Sequence, residues 1–209
     1  MSALARPGKI VAVGRNYVEH AAELGNSVPK QPLLFLKPPS SVIGDGDAIV
    51  LPPESRQVEH EGEIGVVIGR RLRRASIAEV RAGLAGITCV NDVTARDLQR
   101  SDEQWTRAKG FDTFCPIGPR LVPIDPDRLE LLEVHCRVNG VERQHGHARD
   151  MVFGITSLVE YVSQVMTLEP GDLIATGTPA GVGPLRPGDI VEVEIPGVGV
   201  LRNSVVAAS

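Results

Sequence analysis

Short aliphatic runs separated by turn residues recur along the chain and predict β-strands. Residues 9–13, 64–68 and 87–90 are such runs, and the second is uniformly apolar, which predicts a strand buried on both faces. Residues 29–53 contain eight prolines and glycines, so this stretch is predicted to form loops with brief strands. The C-terminal third is predicted to be β-rich.

Helices are predicted at three places. Residues 16–24 form a short predicted helix that Gly25 ends, and residues 76–84 form a second. In residues 155–166 the apolar positions follow the helical period and form one stripe, which predicts a helix with one buried face.

Residues with N-capping side chains support the predicted first residues of these helices. Asn16 is the predicted N-cap of the first helix, and Ser76 with Glu79 has capping-box spacing at the second. Thr94 with Asp97 repeats that spacing and predicts a further helix start there.

Turn residues also place a hairpin. Residues 134–141 form a predicted hairpin turned by Asn139-Gly140, a pair that suits two-residue turns. No stretch has the composition of a linker, so residues 1–209 are predicted to form a single domain, with residues 1–8 as a short N-terminal extension. The predicted class is mainly β with a few short helices.

Composition and charge exclude several functions. The net charge of −4 and the 3% aromatic content argue against a nucleic-acid binder. No apolar stretch approaches a membrane span and residues 1–8 hold no signal-peptide core, so a cytoplasmic protein without membrane contact is expected. Cys89, Cys115 and Cys136 are widely spaced and are predicted to be reduced, apolar core residues.

Three acidic residues are candidate metal ligands. Glu61 and Glu63 alternate along one strand and therefore share a face, with Cα atoms about 6.7 Å apart, just before the buried apolar run. Asp92 follows another apolar strand, where ligand-binding groups often lie. Carboxylates of this kind suit Mg²⁺, Mn²⁺ or Ca²⁺. The alternatives are a solvated acidic strand for the glutamates and a turn-capping role for Asp92.

Two further groups carry possible chemistry. His20 and Glu23 are three residues apart on the first helix, where a carboxylate orients an imidazole that acts as a general base; the alternative is an exposed helix pair. Lys109 lies in an apolar loop and is a candidate for an anionic substrate group, or a surface lysine.

Two other motifs are interpreted more narrowly. The glycine-rich residues 176–184 offer backbone N–H groups to a carboxylate but match no nucleotide-binding motif. His135, His145 and His147 flank the hairpin, and with no third ligand apparent for His145 and His147 they are predicted to face solvent.

Six motifs occur in order between about residue 9 and residue 203. These are Gly14-Arg15-Asn16-Tyr17 with His20 and Glu23, Phe35-Leu36-Lys37-Pro38, Glu61-x-Glu63, Asn91-Asp92-Val93-Thr94-Ala95-Arg96-Asp97, Ala108-Lys109-Gly110-Phe111-Asp112, and Thr176-Gly177-Thr178-Pro179-x-Gly181-Val182-Gly183. With these motifs the chain resembles the fumarylacetoacetate hydrolase family, specifically its compact acylpyruvase and fumarylpyruvate hydrolase branch.

The resemblance implies a mixed β-roll core, a homodimer, and Mg²⁺ or Mn²⁺ as cofactor. The positions that match the family's motifs carry the following implied roles: Glu61, Glu63 and Asp92 hold the metal, His20 and Glu23 activate water from a lid, Lys109 and Thr178 hold the substrate, and Gln99 lies nearby. Arg15 and Lys37 lie in matched motifs and are further candidate substrate-binding residues.

The expected activity is hydrolysis of a C–C bond in a 2,4-dioxo acid of the acylpyruvate type, which yields pyruvate and a carboxylic acid. The small anionic 2-oxo acid would be chelated by the metal, and the enolate that leaves would be stabilised by the metal and Lys109. Oxaloacetate decarboxylation and isomerisation or decarboxylation of 2-hydroxyhepta-2,4-diene-1,7-dioate are alternatives, since both pass through a similar enolate. A non-catalytic metal-binding scaffold is the alternative outside the enzymes.

Overall fold

The computed structural model describes residues 6–23, 25 and 27–208. Within them the helices are α1 (Val18–Glu23), α2 (Ile77–Gly83), α3 (Arg96–Ser101), α4 (Thr106–Gly110) and α5 (Ile155–Val165), with 3-10 turns at Pro39–Ser41, Pro126–Leu131 and Ala148–Asp150. The strands are β1 (Ile10–Gly14), β2 (Leu33–Lys37), β3 (Val42–Ile43), β4 (Ala48–Leu51), β5 (Val58–His60), β6 (Gly62–Ile68), β7 (Leu84–Asn91), β8 (Thr94–Ala95), β9 (Cys115–Val122), β10 (Glu133–Val138), β11 (Val141–His147), β12 (Leu173–Ala175), β13 (Gly183–Pro184), β14 (Ile190–Ile195) and β15 (Gly199–Ala207).

The strands form three sheets, of which the two larger are mixed and the smallest is antiparallel. A seven-stranded sheet has the order β2-β1-β12-β6-β7-β9-β3, in which β1–β12 and β3–β9 are parallel and the other pairs antiparallel. A five-stranded sheet has the order β11-β10-β14-β15-β4, and a short sheet joins β13, β5 and β8. The prediction of a mainly β protein with a few short helices is confirmed.

Strand β6 lies at the centre of the large sheet, and its residues are buried on both faces as its apolar sequence predicts. Ile64, Val66 and Ile68 face the main core, which extends to the five-stranded sheet and α5. Val67 faces a smaller core on the other side. This packing fixes the start of β6, where the acidic residues lie.

Most predicted elements are present, with shifted ends. The helix predicted at residues 16–24 begins only at Val18, and its predicted last residue, Leu24, lies outside the described part, as do residues 1–5 of the N-terminal extension. Ser76 and Glu79 form the predicted capping box, and α5 buries the predicted stripe. None of the described helices is long and apolar enough to cross a membrane.

Two predicted caps are wrong because other hydrogen bonds use the side chains. Asn16 Oδ1, the atom that a cap would use, accepts from the Phe153 N–H at 2.9 Å. Its Nδ2 donates to the carbonyls of Phe153 (3.1 Å) and Thr176 (2.8 Å), so Asn16 ties three segments together. Thr94 lies in β8 and its hydroxyl donates to the Asp92 carbonyl, so α3 begins without a side-chain cap.

The hairpin turn at Asn139-Gly140 is confirmed, and both residues have the positive φ that such turns require. A bulge between Cys136 and Arg137 shifts the register beyond the turn, so that Cys136 pairs with Gln144 and His135 pairs with His145. This one-residue shift decides which side chains of β10 and β11 meet.

The three cysteines are free and buried, as predicted. Burial raises the pKa of each of the Cys89, Cys115 and Cys136 thiols to about 12, so only about one in 10⁴ is ionised at pH 8. We expect a thiol reagent at this pH to label none of them in the folded protein and all three after denaturation. Mass spectrometry of the labelled protein measures this, and rapid labelling of the native protein would contradict it.

Candidate active site

Three buried carboxylates meet where β6 begins and β7 ends. Glu61 directly precedes β6, Glu63 is its second residue, and Asp92 follows β7. The antiparallel register of the two strands brings Asp92 beside Glu61, and the Asp92 N–H donates to the Glu61 carbonyl at 2.8 Å. One oxygen from each carboxylate lies within 4.8 Å of the others. The spacing of the predicted ligands is therefore compact enough for one ion.

Buried cations surround two of these carboxylates. Lys109 Nζ donates to Glu61 Oε2 at 2.7 Å and to Asp92 Oδ2 at 2.6 Å. Arg96 donates to Glu61 Oε1 at 2.5 Å and, from Nε, to Glu59 at 2.8 Å. Burial alone would raise the pKa of Glu61, but the charges of Lys109 and Arg96 outweigh it and hold that pKa well below its usual value.

Glu63 is in the opposite situation. Within the described residues its carboxylate accepts one hydrogen bond, from the Gly177 N–H at 2.8 Å. Burial, together with the negative charges of Asp92 and Glu61, raises its pKa well above the usual value. A buried carboxylate in this position lacks a partner charge.

The donor set fits a divalent cation. All three groups offer carboxylate oxygens, which suit Mg²⁺, Mn²⁺ or Ca²⁺ better than softer metals. A dication beside Glu63 supplies the positive charge that this residue lacks in the protein alone. Glu61, Glu63 and Asp92 are the residues that would hold it.

The predicted base pair is present on α1. His20 is buried and its Nδ1 donates to Glu23 Oε2 at 3.2 Å. In the neutral imidazole this bond would place the hydrogen on Nδ1 and leave the Nε2 lone pair available, as a general base requires. Glu23 is itself held by the Gly181 N–H, at 3.1 Å from Oε1 and 3.3 Å from Oε2.

The glycine-rich loop thus binds protein carboxylates. Gly177 contacts Glu63 and Gly181 contacts Glu23. One loop therefore positions both a candidate metal ligand and the carboxylate that orients His20. Gly177 has φ +101° and a Cβ there would lie 2.7 Å from Asn16 Cβ. Any side chain at this position therefore breaks the approach of the loop.

One cavity of about 480 Å³ joins these groups. It is lined by nine of the ten predicted site residues: Arg15, His20, Glu23, Glu61, Glu63, Asp92, Gln99, Lys109 and Thr178. Arg96 and Arg100 add positive charge, and Val13, Phe35 and Trp105 supply an apolar wall. The cavity therefore suits an anion with a small apolar part.

Lys37 is the predicted site residue that does not line the cavity. Its ammonium is buried and donates to Asp92 Oδ1 at 2.6 Å and to the Val93 carbonyl at 3.2 Å. These bonds place Lys37 where it orients Asp92, a candidate metal ligand. A contact between Lys37 and substrate stays a prediction.

Arg96 and Gln144 were given no role by the sequence. Arg96 links Glu59, Glu61 and Gln99, the last through an Nη1–Oε1 hydrogen bond of 2.5 Å. It lies in the motif that contains Asp92, and its pairing with a strand 35 residues earlier has no sequence signal. The role of Gln144 depends on the bulge in the β10–β11 hairpin, which pairs Gln144 with the buried Cys136.

Gln144 supports the wall that carries Thr178. Its amide donates to Thr178 Oγ1 and to the Pro179 carbonyl, both at 2.7 Å, and its carbonyl accepts from the Gly62 N–H at 3.0 Å. The Thr178 hydroxyl in turn donates to the Gly62 carbonyl at 2.9 Å. This network fixes the loop against the start of β6.

Replacing Gln144 with leucine should lower the free energy of unfolding by about 2–4 kcal/mol, because it leaves the Gly62 N–H and the Pro179 carbonyl buried without partners. Urea unfolding measures the loss. Gln164→Leu is the matched control: this side chain is exposed, has one 3.4 Å bond to the Ala75 carbonyl, and should change stability by less than about 0.5 kcal/mol. Equal effects of the two changes would contradict the role of the network.

Mixed β-sheets around buried carboxylates and a paired histidine define a class of β-rich enzymes, and comparison with known proteins identifies the family. Residues 9–206 match the family model described as fumarylacetoacetate (FAA) hydrolase C-terminal. The chain belongs to the fumarylacetoacetate hydrolase family.

Relatives in this family have several recorded activities. A Methanocaldococcus jannaschii protein is 51% identical over 201 residues, which cover 96% of this chain and 84% of that protein. The human mitochondrial oxaloacetate tautomerase FAHD2A is 44% identical over 219 residues, covering 99% of this chain and 69% of the relative. The crystal structure of 5-carboxymethyl-2-hydroxymuconate delta-isomerase from Mycobacterium smegmatis matches with a TM-score of 0.89 and 46% identity, covering 99% and 81% of the two chains.

Proposed function

We propose that this protein is a metal-dependent enzyme that interconverts the keto and enol forms of a short 2-oxo dicarboxylic acid of the oxaloacetate type. One observation carries the proposal: His20, held by Glu23, lines the same cavity as the carboxylate cluster and Lys109. Relatives named as a tautomerase and an isomerase support proton transfer as the reaction. The hydrolytic reaction expected from the sequence is the second candidate.

The proposed reaction moves one proton. Glu61, Glu63 and Asp92 would hold a divalent cation, Mg²⁺ in preference to Mn²⁺ or Ca²⁺, which would supply Lewis-acid chemistry to the 2-oxo group. His20 Nε2 removes a proton from C3 of the keto acid and the C–H electron pair becomes the C2–C3 double bond. The carbonyl electron pair moves to the 2-oxygen, which receives the proton to give the enol.

The remaining cavity residues bind and orient the acid. Lys109 donates to the oxygen that gains negative charge, since its buried ammonium already lies among the carboxylates. Arg15 lies with its guanidinium 6.0 Å from the Trp105 ring centroid and binds the distal carboxylate. Gln99, fixed by Arg96, and Thr178, whose hydroxyl has a free lone pair, complete the polar contacts.

Hydrolysis of a 2,4-dioxo acid is the second candidate, and the size of the cavity favours it. A space of about 480 Å³ with an apolar wall has room for an acyl group beyond a four-carbon acid. In this reaction His20 takes a proton from water and the oxygen bonds to the C4 carbonyl. The C3–C4 bond then breaks, its electron pair stays on C3, and C3 is protonated to give pyruvate and a carboxylic acid.

A substrate panel tests both candidates. Oxaloacetate, acetylpyruvate, fumarylpyruvate and 2-hydroxyhepta-2,4-diene-1,7-dioate are incubated with the protein and Mg²⁺ or with a chelator, and ultraviolet absorbance of the enol and released pyruvate are followed. Faster enol–keto exchange of oxaloacetate without pyruvate supports the tautomerase, and pyruvate from an acylpyruvate supports the hydrolase. Pyruvate from oxaloacetate indicates decarboxylation. No turnover of any substrate would leave a metal-binding scaffold and contradict the proposal.

A further inference from the structure

A second cluster of ligand-type side chains lies on the β10–β11 hairpin. The bulged register places Glu133 opposite His147 and His135 opposite His145, so the four side chains share one face. The His135 and His145 rings stack with centroids 4.2 Å apart, and the His147 ring lies 5.0 Å from that of His145. The prediction that these histidines lack a further ligand is wrong, because Glu133 lies among them.

Glu133 is the centre of this cluster. Its Oε2 lies 3.6 Å from Nε2 of His135 and 3.6 Å from Nε2 of His145, and its Oε1 lies 3.6 Å from Nδ1 of His147. These separations are longer than ordinary hydrogen bonds. Two ligands of one tetrahedral zinc ion, with Zn–N and Zn–O bonds near 2.1 Å, are separated by about 3.4 Å. The spacing is therefore that of ligands around a common ion.

A second carboxylate supports His135 from the other side of the ring. Its Nδ1 bonds to Glu142 Oε2 at 2.9 Å, and its Nε2 points to Glu133 Oε2, 3.6 Å away. In the neutral imidazole this arrangement would place the ring hydrogen on Nδ1 and the lone pair of Nε2 toward Glu133. A carboxylate that holds the far nitrogen of a histidine is the usual support of a metal-bound imidazole.

From this geometry we propose a transition-metal site on the hairpin, with Glu133 Oε2, His135 Nε2 and His145 Nε2 as ligands and Zn²⁺ as the class of ion. Two imidazoles and one carboxylate suit Zn²⁺, whereas Mg²⁺ and Ca²⁺ prefer oxygen alone. Water would take the fourth position, and the His147 ring lies beside the second oxygen of Glu133, with Nδ1 3.6 Å from Oε1. His145 is 42% exposed, so its ring has room to turn toward the ion.

The hairpin site is separate from the cavity cluster in composition and in ion preference. It shares no ligand with Glu61, Glu63 and Asp92, which offer oxygen atoms only. The two sites therefore respond differently to metals, and each can be removed by substitutions that leave the other intact. The proposal does not depend on the proposed function.

Calorimetric titration of Zn²⁺ into the protein in excess Mg²⁺ tests the site. We expect one equivalent of Zn²⁺ to bind in the wild type and in Glu61→Gln, and to be lost in the double variant His135→Asn/His145→Asn. Circular dichroism confirms that each variant is folded. Co²⁺ in place of Zn²⁺ gives a second measurement, because a tetrahedral site produces visible absorption bands that the double variant should lack.

The variant Glu142→Gln distinguishes a cluster that binds metal from one that has only a structural role. If Glu142 supports a ligand histidine, this change should weaken Zn²⁺ binding about 10- to 100-fold without changing the stoichiometry. Glu192→Gln, an acid on the neighbouring strand β14, is the control and should leave the affinity unchanged. Absence of the Zn²⁺ equivalent in the wild type, or its persistence in the double histidine variant, would overturn the proposal.

Discussion

Replacing His20 with asparagine should lower kcat for enol–keto exchange of oxaloacetate by about 10²- to 10⁴-fold, the usual contribution of a positioned general base. Asparagine keeps an N–H that reaches Glu23 but has no group that accepts a proton at neutral pH. The loss should therefore fall on kcat, with little change in KM, because His20 acts on the reacting proton. Initial rates at saturating Mg²⁺ measure it.

The neighbouring residue provides the control for this variant. Glu19 lies on the same short helix, is exposed and does not line the cavity, so Glu19→Gln should leave kcat within about twofold of the wild type. A His20→Asn enzyme with a raised KM and an unchanged kcat would point to a role in binding alone. An unchanged kcat would remove His20 from the mechanism and leave the carboxylate cluster as the sole active group.

The sequence pattern was sufficient to predict the elements that depend only on residues close in sequence. The apolar run of β6, the capping box at Ser76 and the turn at Asn139-Gly140 depend on neighbours in sequence, and all three are present. The caps predicted at Asn16 and Thr94 are wrong because other hydrogen bonds use these side chains. Asn16 bonds to residues distant in sequence, whereas the Thr94 hydroxyl donates to the carbonyl of Asp92, two residues earlier.

The sequence named the acidic residues, the base and both lysines of the candidate site, but it did not predict that Lys37 and Lys109 pair with Asp92. Glu61 and Glu63 are adjacent on one strand, so their convergence follows from the period of two. The partners of Asp92 do not follow from any spacing, because Lys37 comes from 55 residues away and Lys109 from 17. Only the fold brings these ammonium groups to one carboxylate.

The β-bulge in the β10–β11 hairpin, where Arg143 of β11 is the extra residue, accounts for two further omissions. A two-residue turn without a bulge pairs His135 with Gln144, whereas the observed register pairs His135 with His145 and Cys136 with Gln144. The shift moves Gln144 to the buried side, where it contacts Thr178, and assembles the histidine cluster on the outer side. A bulge has no reliable sequence signal, so neither the support of Thr178 nor the hairpin cluster could be predicted.

Lys109 should be the residue on which the metal-free protein most depends for stability. Replacing it with methionine removes the ammonium between Glu61 and Asp92 and leaves two buried carboxylates without that partner. Loss of one member of a buried ion pair typically costs about 3–5 kcal/mol. For a chain of this length, that loss corresponds to a Tm lower by about 6–20 °C. Thermal unfolding in the presence of a chelator measures it.

Mg²⁺ should restore most of this loss, because the dication supplies the missing positive charge and binds only the folded protein. The rise in Tm on adding Mg²⁺ should therefore be larger in Lys109→Met than in the wild type. Lys9→Met is the matched control: it also removes the partner of a buried aspartate, Asp172, which lies outside the cavity, so Mg²⁺ should not compensate its loss. An equal Mg²⁺-dependent rise in wild type and Lys109→Met would show that the lysine and the ion do not share the same carboxylates.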